Sequence, residues 1–387
     1  MAGVDRAFNI DEMCQLAQSK LPKFIFDYLN GGADDEWVLH NNRAVFAEYG
    51  LLTEVLKDVS DIDTSTTILG MKTAAPFILS STGASRFFHP EGEVAVARAA
   101  ANENVLYGIA ASAMSSIEEV AAVGTGPRFF QVYVFKDSGL NREFVQRSKA
   151  AGYQAMYLTV DSVVAGNRER DLRNQLSIPP KITPRTVWQV GTRPKWAIDY
   201  LTNPAWTFPN VESALDDATK SNFGSIAGWF ASQFDRSFTW DDAARLIAEW
   251  DGPFVIKGIT RPQDAIRAAE IGATGIVVSN HGGRQLDRLP SSIELLPGIV
   301  DVVGDRLEVF VDSGFRRGTD IITALALGAK AVAIGRPYLY GLAAGGEAGV
   351  SRVVQLLKSE IVRDMTMMGL TSIDQINRDA LFERNRK

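Results

Sequence analysis

The sequence predicts an α/β fold: a closed (β/α)8 TIM barrel with an N-terminal helical extension and a long insertion after strand 4. Three observations predict it. Eight short apolar runs of strand length recur along the chain, stretches of helical spacing separate most of them, and polar or charged residues close six or more of the runs. Alternating strands and helices call for parallel pairing through right-handed crossovers. Eight such units favour a closed barrel over an open doubly wound sheet, whose usual G-x-G-x-x-G after the first strand is absent. All 387 residues read as one domain, with helices over 1–70, the barrel over 71–345 and a closing helix and tail over 346–387.

The elements follow in order. Asn9 is a plausible N-cap for a first helix. Leu21-Pro22-Lys23 starts a second at a helix-compatible proline, and Gly31-Gly32 ends it before a third helix over 34–46. The apolar runs are 76–82, 105–111, 129–134, 155–161, 254–259, 275–281, 307–314 and 331–337. Helical spacing occupies 93–102, 140–151, 241–250, 262–271 and 318–327, and the closing helix is expected over 349–368.

Between the fourth and fifth runs, roughly 172–240 is too long for an ordinary barrel loop. It holds Trp188, Trp196, Trp206 and Trp229 together with Pro179, Pro180, Pro184, Pro194, Pro204 and Pro209. A lid, a partner surface and a membrane-contacting patch each fit, as does a packed insertion over the barrel mouth. Lys181, Arg185, Arg193 and Lys195 beside the aromatics favour a surface facing anionic headgroups, whereas Asp199, Glu212, Asp216 and Asp217 argue against a uniformly basic patch.

Composition excludes several classes. A net charge of −6 gives a nucleic-acid role no electrostatic support. The one cysteine, Cys14, cannot form an intrachain disulfide, which fits a reducing compartment. The first residues lack a signal-peptide pattern, and no apolar run is long enough to span a membrane. A cytoplasmic protein is therefore expected, peripheral on the inner face of the membrane if the insertion docks there. The three histidines, His40, His89 and His281, are far apart with no ligand spacing, so no metal is expected.

The chemistry concentrates at Ser279-Asn280-His281-Gly282-Gly283-Arg284-Gln285, which follows the β-branched run Gly275-Ile276-Val277-Val278. A histidine at a strand end can take a proton near neutral pH, and an arginine can grip a carboxylate with two parallel hydrogen bonds. The other runs end in Ser80-Ser81-Thr82-Gly83, Ala110-Ala111, Gln131 and Tyr133, Thr159 and Asp161, Lys257, Asp312-Ser313-Gly314 and Gly335-Arg336. In a barrel these ends converge on one mouth. Glycines and arginines after the last two strands form the usual phosphate-binding corner of such barrels. A flavin-free isomerase or aldolase using that corner, with Lys257 as Schiff base, stays open on the residues alone.

Taken together, Ser279 to Gln285, Phe130-Gln131-Val132-Tyr133, Thr159-Val160-Asp161, Lys257-Gly258, Asp312 to Gly318 and Gly335-Arg336-Pro337 resemble the FMN-dependent L-2-hydroxy-acid dehydrogenase and oxidase family over nearly the whole chain. The stretch from Gly166 to Asn174 and the insertion most resemble the mandelate dehydrogenase branch, with the membrane lactate dehydrogenases close behind. The resemblance implies oxidation of an L-2-hydroxy acid, mandelate-like or lactate-like, to the 2-oxo acid, with electrons passing through FMN to a quinone or another acceptor. An oxygen-using oxidase or monooxygenase is the alternative. An inactive flavin-binding scaffold is a further one. A homotetramer is also implied.

The resemblance assigns roles by residue. His281 would be the base, backed by Asp161. Arg284 and Arg168 would clamp the carboxylate, and Tyr133 would bond near the reacting hydroxyl. Lys257 would face the flavin N1 and C2 carbonyl. Gln131, Thr159 and Ser279 would bind the ring edge and ribityl chain, and Asp312 the ribityl hydroxyls. Gly314, Arg316, Gly335 and Arg336 would bind the phosphate, and Ser81, Thr82 and Gly83 would lie against N5. Three departures are expected to matter. Phe26 stands where a substrate-binding tyrosine is expected, Ala110 where a flavin-contacting hydroxyl is, and Ser81 in place of a proline. Gly83, where family oxidases often carry alanine, points to dehydrogenase behaviour.

Overall fold

The computed structural model describes residues 3–175, 183–203, 206–215, 228–230 and 232–384. Pro179, Pro180, Lys181, Pro204, Asp216 and Asp217, named above, lie outside the described residues. The eight apolar runs are the eight strands of a closed parallel barrel: β1 Phe77–Leu79, β2 Leu106–Ala110, β3 Arg128–Tyr133, β4 Ala155–Thr159, β5 Phe254–Ile259, β6 Gly275–Val278, β7 Glu308–Asp312 and β8 Ala331–Ile334. They pair in sequence order, and β8 closes onto β1 through Val332 opposite Phe77.

Alternation along each strand divides the core. Ile78, Leu106, Phe129, Tyr157, Val255, Val277 and Phe310 point into the barrel, where Phe129 and Tyr157 stack with ring centres 3.7 Å apart. Their neighbours Phe77, Ile109, Phe130, Leu158, Ile256, Ile276 and Val311 pack outward against the helices. Both faces are apolar, which is why the strands read as continuous hydrophobic runs. Gly108 gives Phe129 its space, since a Cβ there would lie 2.0 Å from the ring. The two-stranded hairpin of Thr66–Ile68 and Met71–Thr73 places Ile68 and Leu69 beneath this inner core.

The N-terminal helices fall where their end signals put them. Ile10–Lys20 is capped by Asn9, whose side chain accepts from the Glu12 amide at 2.8 Å. Lys23–Asn30 ends at Gly31, and Trp37–Ala44 follows. Helices Gly92–Asn102, Ser138–Ala150, Trp240–Trp250, Pro262–Glu270 and Gly318–Ala326 match the helical stretches within two residues. Two crossover helices had escaped the sequence reading: the five-residue Ile117–Ala121, too short to show a period, and Ser292–Val303, masked by the internal Pro297. The closing helix runs from Arg336 to Met368 with a break at Gly345 and Gly346.

In the insertion, helices Pro184–Gly191 and Pro194–Thr202 lie against the N-terminal segment. Gln189 accepts from the Phe24 amide at 3.0 Å, and Arg193 Nε donates to the Leu21 carbonyl at 3.2 Å. The tryptophans divide between the packed and the exposed readings of the insertion. Trp196 is buried and its indole N–H donates to the Phe87 carbonyl at 2.9 Å. Trp206 packs on Phe87, and Trp229 on Phe135 and Phe230. Trp188 is the exposed one of the four, at 74%. No helix among the described residues is long and apolar enough to cross a membrane.

Candidate active site

A cavity of about 550 Å³ opens at the carboxyl ends of the strands. Barrel register builds its floor. Tyr133 pairs with Thr159, and Thr159 with Lys257, so three polar side chains stand at one level on β3, β4 and β5. All three line the cavity, as do Ser81, Thr82 and Gly83 after β1, Gln131 on β3, Asp312 at the end of β7 and Gly335 after β8.

The stretch after β6 turns sharply. His281, Gly282 and Gly283 have φ of 57°, 64° and 73°, a left-handed run that a histidine joins at a cost of roughly 1–2 kcal/mol. Side-chain oxygens hold it there. Ser279 Oγ accepts from the His281 amide at 3.0 Å, and Ser313 Oγ from the Gly282 amide at 3.0 Å. The turn brings His281 Nδ1 to 2.8 Å from Asp161 Oδ1, across 120 residues of sequence. Burial would push the Asp161 carboxyl up, but His281 and Lys257 outweigh it and hold it well below the ordinary carboxylate range. The ionised Asp161 fixes the proton on Nδ1 and leaves Nε2 as the basic nitrogen. Burial holds His281 below its usual 6.5, with Asp161 opposing and Lys257 assisting, so the ring is neutral near pH 7.

Lys257 is 7% exposed. Its Nζ lies 3.2 Å from Asp312 Oδ2, 3.8 Å from Asp161 Oδ2 and 3.0 Å from Ser279 Oγ, which in turn donates to Asp312 at 2.9 Å. Burial would lower its pKa, but the two carboxylates outweigh it and raise it to about 12. A permanent cation is the wrong state for a Schiff-base lysine, which must be neutral to attack. That counts against the aldolase alternative.

Four arginines converge on the cavity: Arg168, Arg284, Arg316 and Arg336. Among the described residues none has a carboxylate within ion-pair distance; their bonds go to carbonyls. Arg284 Nη1 donates to Tyr28 O at 2.8 Å and Gly31 O at 3.0 Å, and its guanidinium lies 5.1 Å from the centre of the Tyr28 ring. Arg336 donates to Leu29, Gly282 and Gly31 carbonyls. Arg168 Nε donates to the Arg284 carbonyl at 3.4 Å, and Arg316 Nη1 to the Phe315 carbonyl at 2.7 Å. Burial first, and then neighbouring arginines, pull the Arg284 and Arg336 pKa values down. Asp171 acts on Arg168 and Arg284, and Asp320 on Arg316, only from beyond ion-pair distance. Partly buried cations without a direct ion pair favour anions at two places in the cavity. The corner of Arg316, Arg336, Gly314 and Gly335 suits a phosphate; a Cβ on Gly335 would meet nothing closer than Thr82 Cγ2 at 3.9 Å. The pair Arg284 and Arg168 beside His281 suits a carboxylate. An FMN-sized group with a small acid fits this donor set.

Most of the expected site residues line the cavity together. Asp161 and Ser279 stand one layer behind, bonded to His281 and Lys257. Two expectations are corrected. Phe26 does not line the cavity; it is 7% exposed and packs in the core, whereas Tyr28 of the same helix faces the site under Arg284. Residues two apart on a helix point nearly opposite ways, so only one of the pair can face the mouth. Ala110 is likewise buried in β2 and not part of the wall, and Ser112 is the hydroxyl that lines it. Sequence reading also missed Phe87, Phe88, Phe208, Phe230 and Phe234, which give the same cavity an apolar lining. Phe234 comes from the far end of the insertion and forms a bridge with Phe135 just past β3, a contact between segments about a hundred residues apart that no local pattern announces.

A family model described as FMN-dependent dehydrogenase matches residues 17–383. Glycolate oxidase from Spinacia oleracea is 40% identical over 370 residues, covering 96% of this chain and 94% of that protein. The solved structure of (S)-mandelate dehydrogenase, described as a monotopic membrane protein, superposes with a TM-score of 0.93 at 36% identity, covering 98% of this chain and 100% of the other. A mandelate oxidase structure gives 0.81 at 35% identity, covering 97% and 98%.

Proposed function

The chain belongs to the FMN-dependent dehydrogenase family, whose members oxidise the CH–OH of 2-hydroxy acids, and we propose that it converts an L-2-hydroxy acid with a bulky apolar side chain to the 2-oxo acid. The observation that carries this reading is the His281–Asp161 pair set beside Arg284 and Arg168, two cavity arginines that, among the described residues, make no direct ion pair and have Asp171 as a more distant counter-charge. When bound, FMN supplies the two-electron acceptor.

The chain's own residues do the rest. Arg284 and Arg168 receive the substrate carboxylate and fix the C2 hydroxyl relative to His281. Tyr28 stacks beneath Arg284 and keeps its plane. Tyr133, whose phenol burial holds protonated, donates a hydrogen bond near the reacting oxygen. His281 Nε2 takes the proton released as the alcohol becomes a carbonyl, and Asp161 stabilises the resulting imidazolium. Lys257 holds a fixed positive charge in the floor, where it opposes negative charge arriving on the cofactor. Arg316, Arg336, Gly314 and Gly335 would hold the phosphate, Asp312 the ribityl hydroxyls, and Gln131, Thr159 and the Ser81–Gly83 backbone the ring system.

The phenylalanine wall favours the mandelate-like over the lactate-like substrate, because it offers an aromatic side chain burial that a methyl group would leave unfilled. Membrane docking is supported by Val187, Trp188, Ile198 and Leu201, which are 59%, 74%, 59% and 77% exposed on the two insertion helices, with Arg185 and Lys195 beside them. A quinone acceptor rests on the family resemblance. The homotetramer rests on the family resemblance alone. The deciding experiment is anaerobic mixing of the yellow protein with a panel of 2-hydroxy acids. Bleaching of the flavin by S-configured aryl acids ahead of lactate and glycolate is expected; no bleaching by any acid would overturn the reading.

A further inference from the structure

The turn after the second helix is the hub on which the arginines rest. Gly31 O accepts from both Arg284 Nη1, at 3.0 Å, and Arg336 Nη2, at 2.8 Å. Tyr28 O and Leu29 O take further bonds from the same two guanidiniums. Carbonyls orient arginines only as well as the turn itself is held. The Ala33 amide ties it to Gly283 O at 2.8 Å, directly before Arg284.

One side chain supplies the remaining hold. Glu36 is 9% exposed in a left-handed backbone conformation, with φ of 59°. One carboxylate oxygen accepts from the Gly32 amide at 2.9 Å. The other is ion-paired with Arg170 Nη2. Arg170 sits on the short helix Glu169–Arg173, whose N-cap is Arg168. Asn167 is tied to Asp34 through both backbone and side chain, and Asn174 Nδ2 donates to Asp27 at 2.7 Å. The loop carrying Arg168 is therefore fastened to the turn that orients Arg284, and Glu36 is the carboxylate that joins the Gly32 amide to Arg170 by an ion pair.

We infer that Glu36 and Arg170 are positioning residues that set Arg168 and Arg284 in register for the substrate carboxylate, without touching substrate themselves. This rests on the reading of the site given above. A buried carboxylate bonded to a turn amide and an arginine holds both partners to a few tenths of an ångström, and misplacement of a clamp by about 1 Å costs up to about 100-fold. The loss falls on carboxylate recognition, because His281, Asp161 and Lys257 are held by separate partners.

The test compares wild type with Glu36→Gln, Arg170→Met and Arg170→Lys, all reconstituted with FMN, by anaerobic stopped-flow reduction with a 2-hydroxy acid and with its carboxamide. The two neutralising variants should raise the half-saturating acid concentration about 5–50-fold while the limiting reduction rate stays within about threefold. Reduction by the carboxamide should be unchanged, and Arg170→Lys should recover most of the lost affinity. Should Glu36→Gln fold poorly, Arg170→Met carries the same test, since its side chain is 36% exposed. Unchanged acid affinity in Arg170→Met, or equal losses on acid and carboxamide, would overturn the inference while leaving the site reading intact. A wild type that no 2-hydroxy acid reduces would overturn both.

Discussion

His281 Nδ1 lies 2.8 Å from Asp161 Oδ1, while the other oxygen of Asp161 lies 3.8 Å from Lys257 Nζ. One carboxylate thus fixes the tautomer of the proposed base and helps keep the neighbouring lysine charged. His281→Gln should slow flavin reduction by about 10²–10⁴-fold while FMN stays bound, because the phosphate corner and Lys257 are untouched. Stopped-flow reduction by the hydroxy acid reads this. A near-normal rate would remove His281 from the mechanism.

The acid limb of activity follows from the same pair. The base must be neutral in the free enzyme, and burial holds His281 below 6.5. The apparent second-order rate of reduction should rise with pH through a midpoint below 6.5 and be level near neutrality. Asp161 raises the His281 pKa, so Asp161→Asn should lower both the plateau and the midpoint. A limb centred above pH 7 would contradict this assignment.

Arg284 should recognise the carboxylate by a two-pronged hydrogen bond. Arg284→Lys keeps the charge but not the fork or the stacking on Tyr28, and should weaken acid binding by about 1.5–3 kcal/mol. Tyr28→Phe should weaken it less, and Phe26→Tyr should leave it unchanged because Phe26 faces the core. Substrate titrations under anaerobic conditions distinguish them. Esters reducing the enzyme as well as free acids would refute the clamp.

Gly314 sits at φ 94° with the Asn42 carbonyl 1.9 Å from where a Cβ would stand. Gly314→Ala must displace backbone on the loop between Asp312 and Arg316. The expected result is loss of bound FMN on gel filtration and a lower thermal midpoint. Gly83→Ala also has a built-in conflict, with Ser112 Oγ at 2.3 Å, which rotation relieves, and with the Ser112 carbonyl at 3.0 Å, which needs a smaller backbone shift than Gly314→Ala does. Flavin content unchanged in Gly314→Ala would show that this loop adapts freely.

If the insertion docks on membranes, the outward residues carry it. Trp188→Ser combined with Ile198→Ser and Leu201→Ser should reduce cosedimentation with anionic vesicles without loss of FMN, because Gln189 and Arg193 still hold the helices to the N-terminal segment and Trp196 holds them to the Phe87 loop. Equal partitioning with vesicles would leave this face as a subunit contact. Rapid peroxide formation in air by the wild type would contradict a quinone-directed dehydrogenase.

The sequence by itself determined the barrel, the strand ends and most of the site. A strand buried on both faces has to be a continuous apolar run, so all eight were visible and β5 matched at both ends. Polar residues at the ends of such runs have one place to converge. His281, Arg284, Lys257 and Asp312 could therefore be named before any distance was known. Tertiary structure alone decided the rest, wherever a role depends on direction or on a distant partner. Phe26 and Tyr28 are both aromatic and two residues apart, and only the docking of their helix puts Tyr28 under Arg284 and Phe26 in the core. The tryptophans of the insertion look alike in sequence, yet Trp196 is buried and Trp188 exposed, because Pro194–Thr202 turns Trp196 onto the Phe87 loop while Pro184–Gly191 turns Trp188 outward. Glu36 carries no motif; its importance comes from a turn amide on one oxygen and Arg170 on the other, 134 residues away. Burial and periodicity are local properties that a chain must display along its length, whereas the facing of a side chain and the pairing of remote charges exist only once the elements have packed.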